Sequence, residues 1–84
     1  MSVMKAIRLY DWADEAKQHL LREVPVRQAD DSTRGGKRRL FVWSGDGEEF
    51  NYVLYPDDGT AYPEFDNRIQ QQRLARRYRY DAVN

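Results

Sequence analysis

Residues 3–22, VMKAIRLYDWADEAKQHLLR, decide the fold of this chain, because they read in two ways. Val3, Ala6, Ile7, Tyr10, Ala13, Leu20 and Leu21 fall on one side of a helix with 3.6 residues per turn. Pro25 then ends the helix near Glu23-Val24, since the residue before a proline is held out of the helical region. The other reading makes residues 3–10 a strand, with Asp11 as an N-cap, Asp14 three residues on, and a helix over 11–22 only. The length of the apolar stripe favours the long helix, and that is the expectation carried forward.

Working outward from this segment, residues 25–30 read as a short first strand, and DDSTRGG (30–36) as a loop whose residues 31–36 are expected to be mobile. The strongest β signals are RRLFVWS (38–44) and EFNYVLY (49–55), both rich in aromatic and β-branched residues. GDGE (45–48) and PDDGT (56–60) are the turns between strands, with Gly59 suited to a left-handed position. AYPEF (61–65) gives a third strand, which Pro63 demotes to an edge or an irregular segment. That edge is open to a partner strand or a second copy of the chain. Asp66 or Asn67 caps a final helix over 67–79, although RRYRYDAV (76–83) alternates as a strand would. The expected fold is therefore α+β in two layers: an N-terminal helix, an antiparallel sheet of three to four strands, and a C-terminal arginine-rich helix.

Alternation within the strands sorts their side chains. Phe50, Tyr52 and Leu54 share one face of 49–55 and are the expected core. In 39–43, Leu40 and Val42 oppose Arg39, Phe41 and Trp43, so only one of these two sets meets the rest of the core.

Eighty-four residues make a single domain, 1–84, with a small core and little spare volume for a buried active site. The absence of cysteine excludes disulfides and thiolate metal sites. There is no apolar run near 18 residues, so no transmembrane helix is expected, and the charged N-terminal segment has no secretory core. The expected location is cytoplasmic, or a host cytoplasm if the gene is viral.

Catalytic signals are weak. The one histidine, His19, would share a helical face with Glu15 and Glu23, but that stripe offers no further strong ligand and reads as a solvated face. GDGEEF (45–50) lacks the third glycine of a phosphate loop, and its acids would repel phosphate. PDDGT lacks the twelfth-position ligand of a calcium loop. Neither a cofactor nor a metal is expected. Arg76, Arg77, Arg79, Tyr78 and Tyr80 have the side-chain types of a metal-independent ribonuclease toxin, but the expected order of elements does not resemble that family.

Charge is the more telling pattern. The formal net charge is zero, yet residues 34–39 carry +4, residues 40–66 carry −7, and residues 67–84 carry +4. Eleven of the fourteen basic residues are arginine, which favours bidentate and stacked contacts over mere solubility. In a nucleic-acid reading, Arg34, Lys37, Arg38, Arg39, Arg73, Arg76 and Arg77 neutralise phosphates. The seven acids between the two basic clusters, and a pI near 6.6, argue against it.

A protein-interface reading fits better. The chain has eleven aromatic residues, more than so small a core is expected to hide. Trp12 falls on the polar side of the expected N-terminal helix, as a contact anchor or a covered ring. The expected contact set is Trp12, Phe41, Trp43, Tyr52, Tyr55 and Tyr62, with Arg73, Arg76, Arg77 and Arg79 as charged contacts. The expected activity is a small, non-enzymatic protein-binding module that occupies a surface of a larger protein or nucleoprotein complex. Its size and composition suit a phage or mobile-element inhibitor of host machinery. Nucleic-acid binding is the alternative, and a homodimer is compatible with either.

Overall fold

A computed structural model of the chain describes residues 4–45, 51–63 and 76–84. They form strands β1 (Ala6–Asp11), β2 (Arg22–Pro25), β3 (Gln28–Asp31), β4 (Leu40–Trp43), β5 (Tyr52–Tyr55), β6 (Thr60–Pro63) and β7 (Tyr78–Val83). Among the described residues there is no helix, and hence none long and apolar enough to cross a membrane. The strands make one antiparallel sheet in the order β2-β1-β7-β6-β5-β4-β3.

That order forces the sheet to roll. β2 and β3 are its two outermost strands, yet only Val26 and Arg27 separate them in the chain. Three peptide steps, from Pro25 to Gln28, reach at most about 11 Å. The edges of a flat seven-stranded sheet lie about 29 Å apart. Two backbone hydrogen bonds mark how the chain joins the edges. The Val26 amide donates to the Lys5 carbonyl at 2.8 Å, beside β1, and the Arg27 amide donates to the Trp43 carbonyl at 2.8 Å, beside β4. Consecutive amides of an extended chain point to opposite sides, so residues 22–31 behave as one bent strand serving both edges of a barrel-like roll. A side-chain bond crosses the roll as well. Arg22 Nη1 on β2 donates to the Tyr52 hydroxyl on β5 at 3.1 Å, although four strand positions, about 19 Å on a flat sheet, separate them.

The roll has a clear inside. Ile7, Leu9, Val24, Val42, Tyr52, Leu54 and Ala61 form the buried cluster, with Met4, Val26, Leu40, Tyr78 and Tyr80 packed against it. Cross-strand register explains the grouping, since directly opposed residues share a face. Ile7 opposes Val24, Leu54 opposes both Leu40 and Ala61, and Ala61 opposes Tyr78. Each fully buried aliphatic side chain here contributes about 1.5–3 kcal/mol relative to exposure.

The expected α+β architecture is thus corrected to all-β, for reasons visible in particular residues. In AIRLYD, Ile7 and Leu9 point inward while Arg8 points outward, a period of two that the longer helical stripe masks. β1 is also paired on both sides, with β2 and β7, which satisfies its backbone without a helix. Leu20 and Leu21, counted on the helical apolar side, are 52 % and 50 % exposed. Residues 12–21 form a loop instead. Asp14 braces it: its carboxylate accepts the amides of Gln18 at 3.1 Å and His19 at 2.9 Å, while Lys17 takes a φ of 54°. Hydrogen bonds from the His19 and Gln18 amides hold the Asp14 carboxyl below its ordinary pKa.

The expected C-terminal helix is corrected where it can be compared. Tyr78 and Arg79 belong to β7, which is in register with all six residues of β1, from Ala6↔Val83 to Asp11↔Tyr78. Residues 67–75 of that expected helix lie outside the described residues. The single strand expected over 25–30 is two, β2 and β3, either side of the bend. The third strand is not an edge, because β6 lies between β5 and β7. Pro63 is tolerated because the β6–β7 ladder has already ended at Ala61↔Tyr78. In the loop read over 31–36, Arg34 and Lys37 exchange amide hydrogen bonds at 3.1 and 3.0 Å around Gly35 (φ 60°) and Gly36 (φ 77°). This is the two-residue hairpin tip that a pair of positive-φ glycines permits.

Candidate functional site

The outward face of the roll carries most of the aromatic and arginine residues that the sequence singles out. Register builds it in rows. Tyr10, Arg79, Thr60 and Tyr55 oppose one another across β1, β7, β6 and β5. Beside them, Tyr62, Val53, Phe41 and Asp30 form a second row across β6, β5, β4 and β3. Trp43 follows Phe41 by two residues and therefore shares its side of the sheet.

This outer wall is not merely solvated. Tyr10, Val53 and Thr60 are buried although they point away from the core cluster. Tyr55 and Tyr62 meet edge to face, with ring centroids 5.7 Å apart and planes at 86°, a favoured aromatic geometry. Lys37 Nζ sits 4.8 Å from the Tyr55 ring centroid, and the Arg39 guanidinium 5.4 Å from that of Phe41.

Trp12 occupies the other end of the wall. The guanidinium carbons of Arg77 and Arg79 lie 3.6 and 4.0 Å from the centre of its ring. Both guanidiniums therefore stack on the one ring. The strand brings the two together: residues i and i+2 of β7 and its lead-in project to the same side, about 6.8 Å apart. Arg79 Nε also donates to the Trp12 carbonyl at 2.8 Å, and its guanidinium lies 3.8 Å from Glu15. Contacts of this kind are worth about 0.5–1 kcal/mol each when exposed.

The remaining expected contact residues fall elsewhere. Tyr52 is inside the roll, 7 % exposed, with its hydroxyl bound by Arg22. Arg76 lies over the Tyr78 ring at 5.0 Å, at one mouth of the roll. Arg73 is outside the described residues. Of the nucleic-acid set, Arg34, Lys37, Arg38 and Arg39 sit on the β3–β4 hairpin, and Arg39 Nε donates to the Ser32 carbonyl at 3.2 Å. Three strand steps, about 14 Å on a flat sheet, part this hairpin from β7 and its Arg77.

Charges on the outer wall are mixed. Ion pairs join Arg8 to Glu23 at 2.9 Å, Lys17 to Asp81 at 2.5 Å, Lys37 to Asp58 at 3.8 Å, and Arg79 to Glu15. Glu15, His19 and Glu23 do not line one helical face, since Glu23 is in β2 and the other two are in the loop. Among the described residues, no group of three His, Cys, Asp or Glu side chains could hold a metal ion. At the opposite mouth, burial pushes the Tyr80 hydroxyl above its ordinary pKa, with Arg38 opposing and Asp57 adding to the rise.

Sequence reasoning missed Tyr10 and Arg22. The period-two pattern of AIRLYD would have found Tyr10, by setting it on the outward side with Arg8. Comparison with family models, curated proteins and solved structures finds no match for this chain.

Proposed function

We propose that this protein is a binding module that seats a folded protein partner on the outer wall of its rolled sheet. The observation that carries the reading is the Arg77–Trp12–Arg79 stack, continuous through Tyr10 and Thr60 with the Tyr55–Tyr62 pair and Phe41. Tryptophan, tyrosine and arginine are the side chains that dominate interface energies, because they remove large areas from water and lose little freedom when already stacked. The interspersed Glu15, Asp30, Asp58 and Asp81 favour protein over nucleic acid. A phosphate backbone laid along this wall would meet carboxylates between the cations. Occupying a partner's surface requires only this wall, with no cofactor or chemical step.

The test compares the wild-type chain with a Trp12→Ala/Tyr62→Ala double variant shown by circular dichroism to keep the β fold. A purified partner, identified by affinity capture, should bind the wild type and lose at least about tenfold with the variant, the scale of one modest hot spot. Labelled single- and double-stranded DNA and RNA should give no anisotropy change at physiological salt. Nucleic-acid binding that falls steeply with salt, or partner binding indifferent to both substitutions, would overturn the reading.

A further inference from the structure

The mouth of the roll that faces Arg22 and Arg76 is a second, separate feature. A cavity of about 260 Å³ opens there, lined by Leu9, Leu21, Arg22, Tyr52, Arg76 and Tyr78. Five of the six lining residues belong to the inward side: Leu9 opposes Arg22, Tyr52 is in the core cluster, Tyr78 shares its register row with Ala61, and Arg76 precedes Tyr78 by two. Among these residues are two cations and no acid. That contrasts with Arg8, Lys17, Lys37 and Arg79, each of which has a carboxylate partner. Among the described residues, neither Arg22 nor Arg76 has one.

The hydroxyl geometry completes an anion cradle. Tyr52 accepts a hydrogen bond from Arg22 Nη1 at 3.1 Å, which leaves its own O–H free to donate into the cavity. Arg76 is positioned over the Tyr78 ring at 5.0 Å, so its charge is held at the rim. Leu9, 2 % exposed, forms the apolar floor, and Leu21, half exposed, forms a lip. Two guanidiniums line this one cavity, and guanidinium forks match phosphoryl oxygens two at a time.

We infer that this mouth binds a phosphomonoester dianion carried on a flat or apolar body, with Arg22, Arg76 and the Tyr52 hydroxyl on the phosphoryl oxygens. The two positive charges match the charge of such a group near pH 7, and the ring of Tyr78 with Leu9 and Leu21 accepts the body. The site lies at a mouth of the roll, on the inward side of the sheet, and does not depend on the outer-wall reading.

The experiment is an NMR titration of the full chain with phenyl phosphate, AMP and O-phosphotyrosine, with benzyl alcohol as the uncharged control. Phenyl phosphate should shift the Tyr52 and Tyr78 ring signals saturably, and benzyl alcohol should not. Saturation by AMP or by O-phosphotyrosine tells whether the group comes from a nucleotide or a modified side chain. Arg22→Gln and Arg76→Gln should each weaken binding at least about tenfold. Arg76→Lys should retain more of it, and affinity should fall as pH drops below about 6, where the dianion takes up a proton. No saturable shift, equal binding of the alcohol, or Gln variants that stay folded and bind as well as wild type would each overturn the assignment.

Discussion

Tyr52 and Tyr55 lie on one strand, three residues apart, and do opposite work. An odd spacing puts them on opposite faces of the sheet. Tyr52 is inside, packed with Leu54 and Val42, its hydroxyl taken by Arg22. Tyr55 is outside, beneath Lys37 and edge-on to Tyr62. The inner wall is built mainly from aliphatic side chains, with Tyr52, Tyr78 and Tyr80 fitted among them, so each is constrained by volume. The outer wall is built from rings and cations that touch in pairs, so each contact is modest and replaceable. The lesson is that aromatic content by itself does not separate core from surface in so small a sheet. Register does.

The sharpest way to break the contrast is to shorten the inner wall. Leu54→Ala should destabilise the fold by roughly 2–5 kcal/mol, because Leu54 is fully buried, opposite Leu40 and Ala61, and its loss leaves a cavity. Urea unfolding followed by far-ultraviolet circular dichroism measures it. A loss under about 1 kcal/mol would mean that the inner wall is loosely packed.

The hairpin tip gives an intermediate effect of a different origin. A Cβ at Gly36 would meet nothing within 4 Å, but its φ of 77° is unfavourable for any residue with a side chain. Gly36→Ala should therefore cost about 1–2 kcal/mol through backbone conformation alone. An unchanged midpoint in the same urea experiment would show that the turn relaxes.

On the outer wall, Tyr62→Ala should cost about 0.5–1.5 kcal/mol, the scale of one aromatic pair, well below the cost of Leu54→Ala. Thermal unfolding of the two variants side by side tests the ranking, and a Tyr62 variant as damaged as Leu54→Ala would erase the distinction between the walls.

The smallest effect is a proton. The Asp14 carboxyl is held below its ordinary pKa by the His19 and Gln18 amides, so the folded loop prefers the carboxylate. The stabilisation is present above the unfolded value and is lost as pH falls through the lower, folded value. The amide signals of Gln18 and His19 should titrate with a midpoint below the ordinary 3.8 of an aspartate, and Asp14→Asn should remove that titration.

Much of the sheet was legible from local pattern. Strands around Leu40–Trp43 and Tyr52–Tyr55, and the turn at Gly59, follow from β-branched and aromatic runs punctuated by glycine, whereas the hairpin tip at Gly35-Gly36 reads only as a loop. The inward set of β5, Tyr52 and Leu54, follows from alternation. What was not legible is the partner of each strand. β1 reads as a helix because Leu20 and Leu21 extend its apolar pattern, and only the pairing with β2 and β7 reveals that they sit in an exposed loop. β7 is ambiguous for the same reason: its neighbour, β1, lies at the far end of the chain. The candidate surface suffers likewise. Trp12, Arg77 and Arg79 are each conspicuous in the sequence, but nothing local predicts that both arginines stack on the one tryptophan.

The seat of β7 between β1 and β6 also governs when this protein can exist as a folded object during its own synthesis. Ala6 pairs with Val83, and the Lys5 amide donates to the Val83 carbonyl at 2.7 Å. β1 therefore waits, with one edge open, until β7 has been made. Until then the nascent chain exposes the edge of β1 that β7 will cover, a template for neighbouring chains and for chaperones. Closure depends on contacts distant in sequence, which places folding on the slow side for a domain of this size.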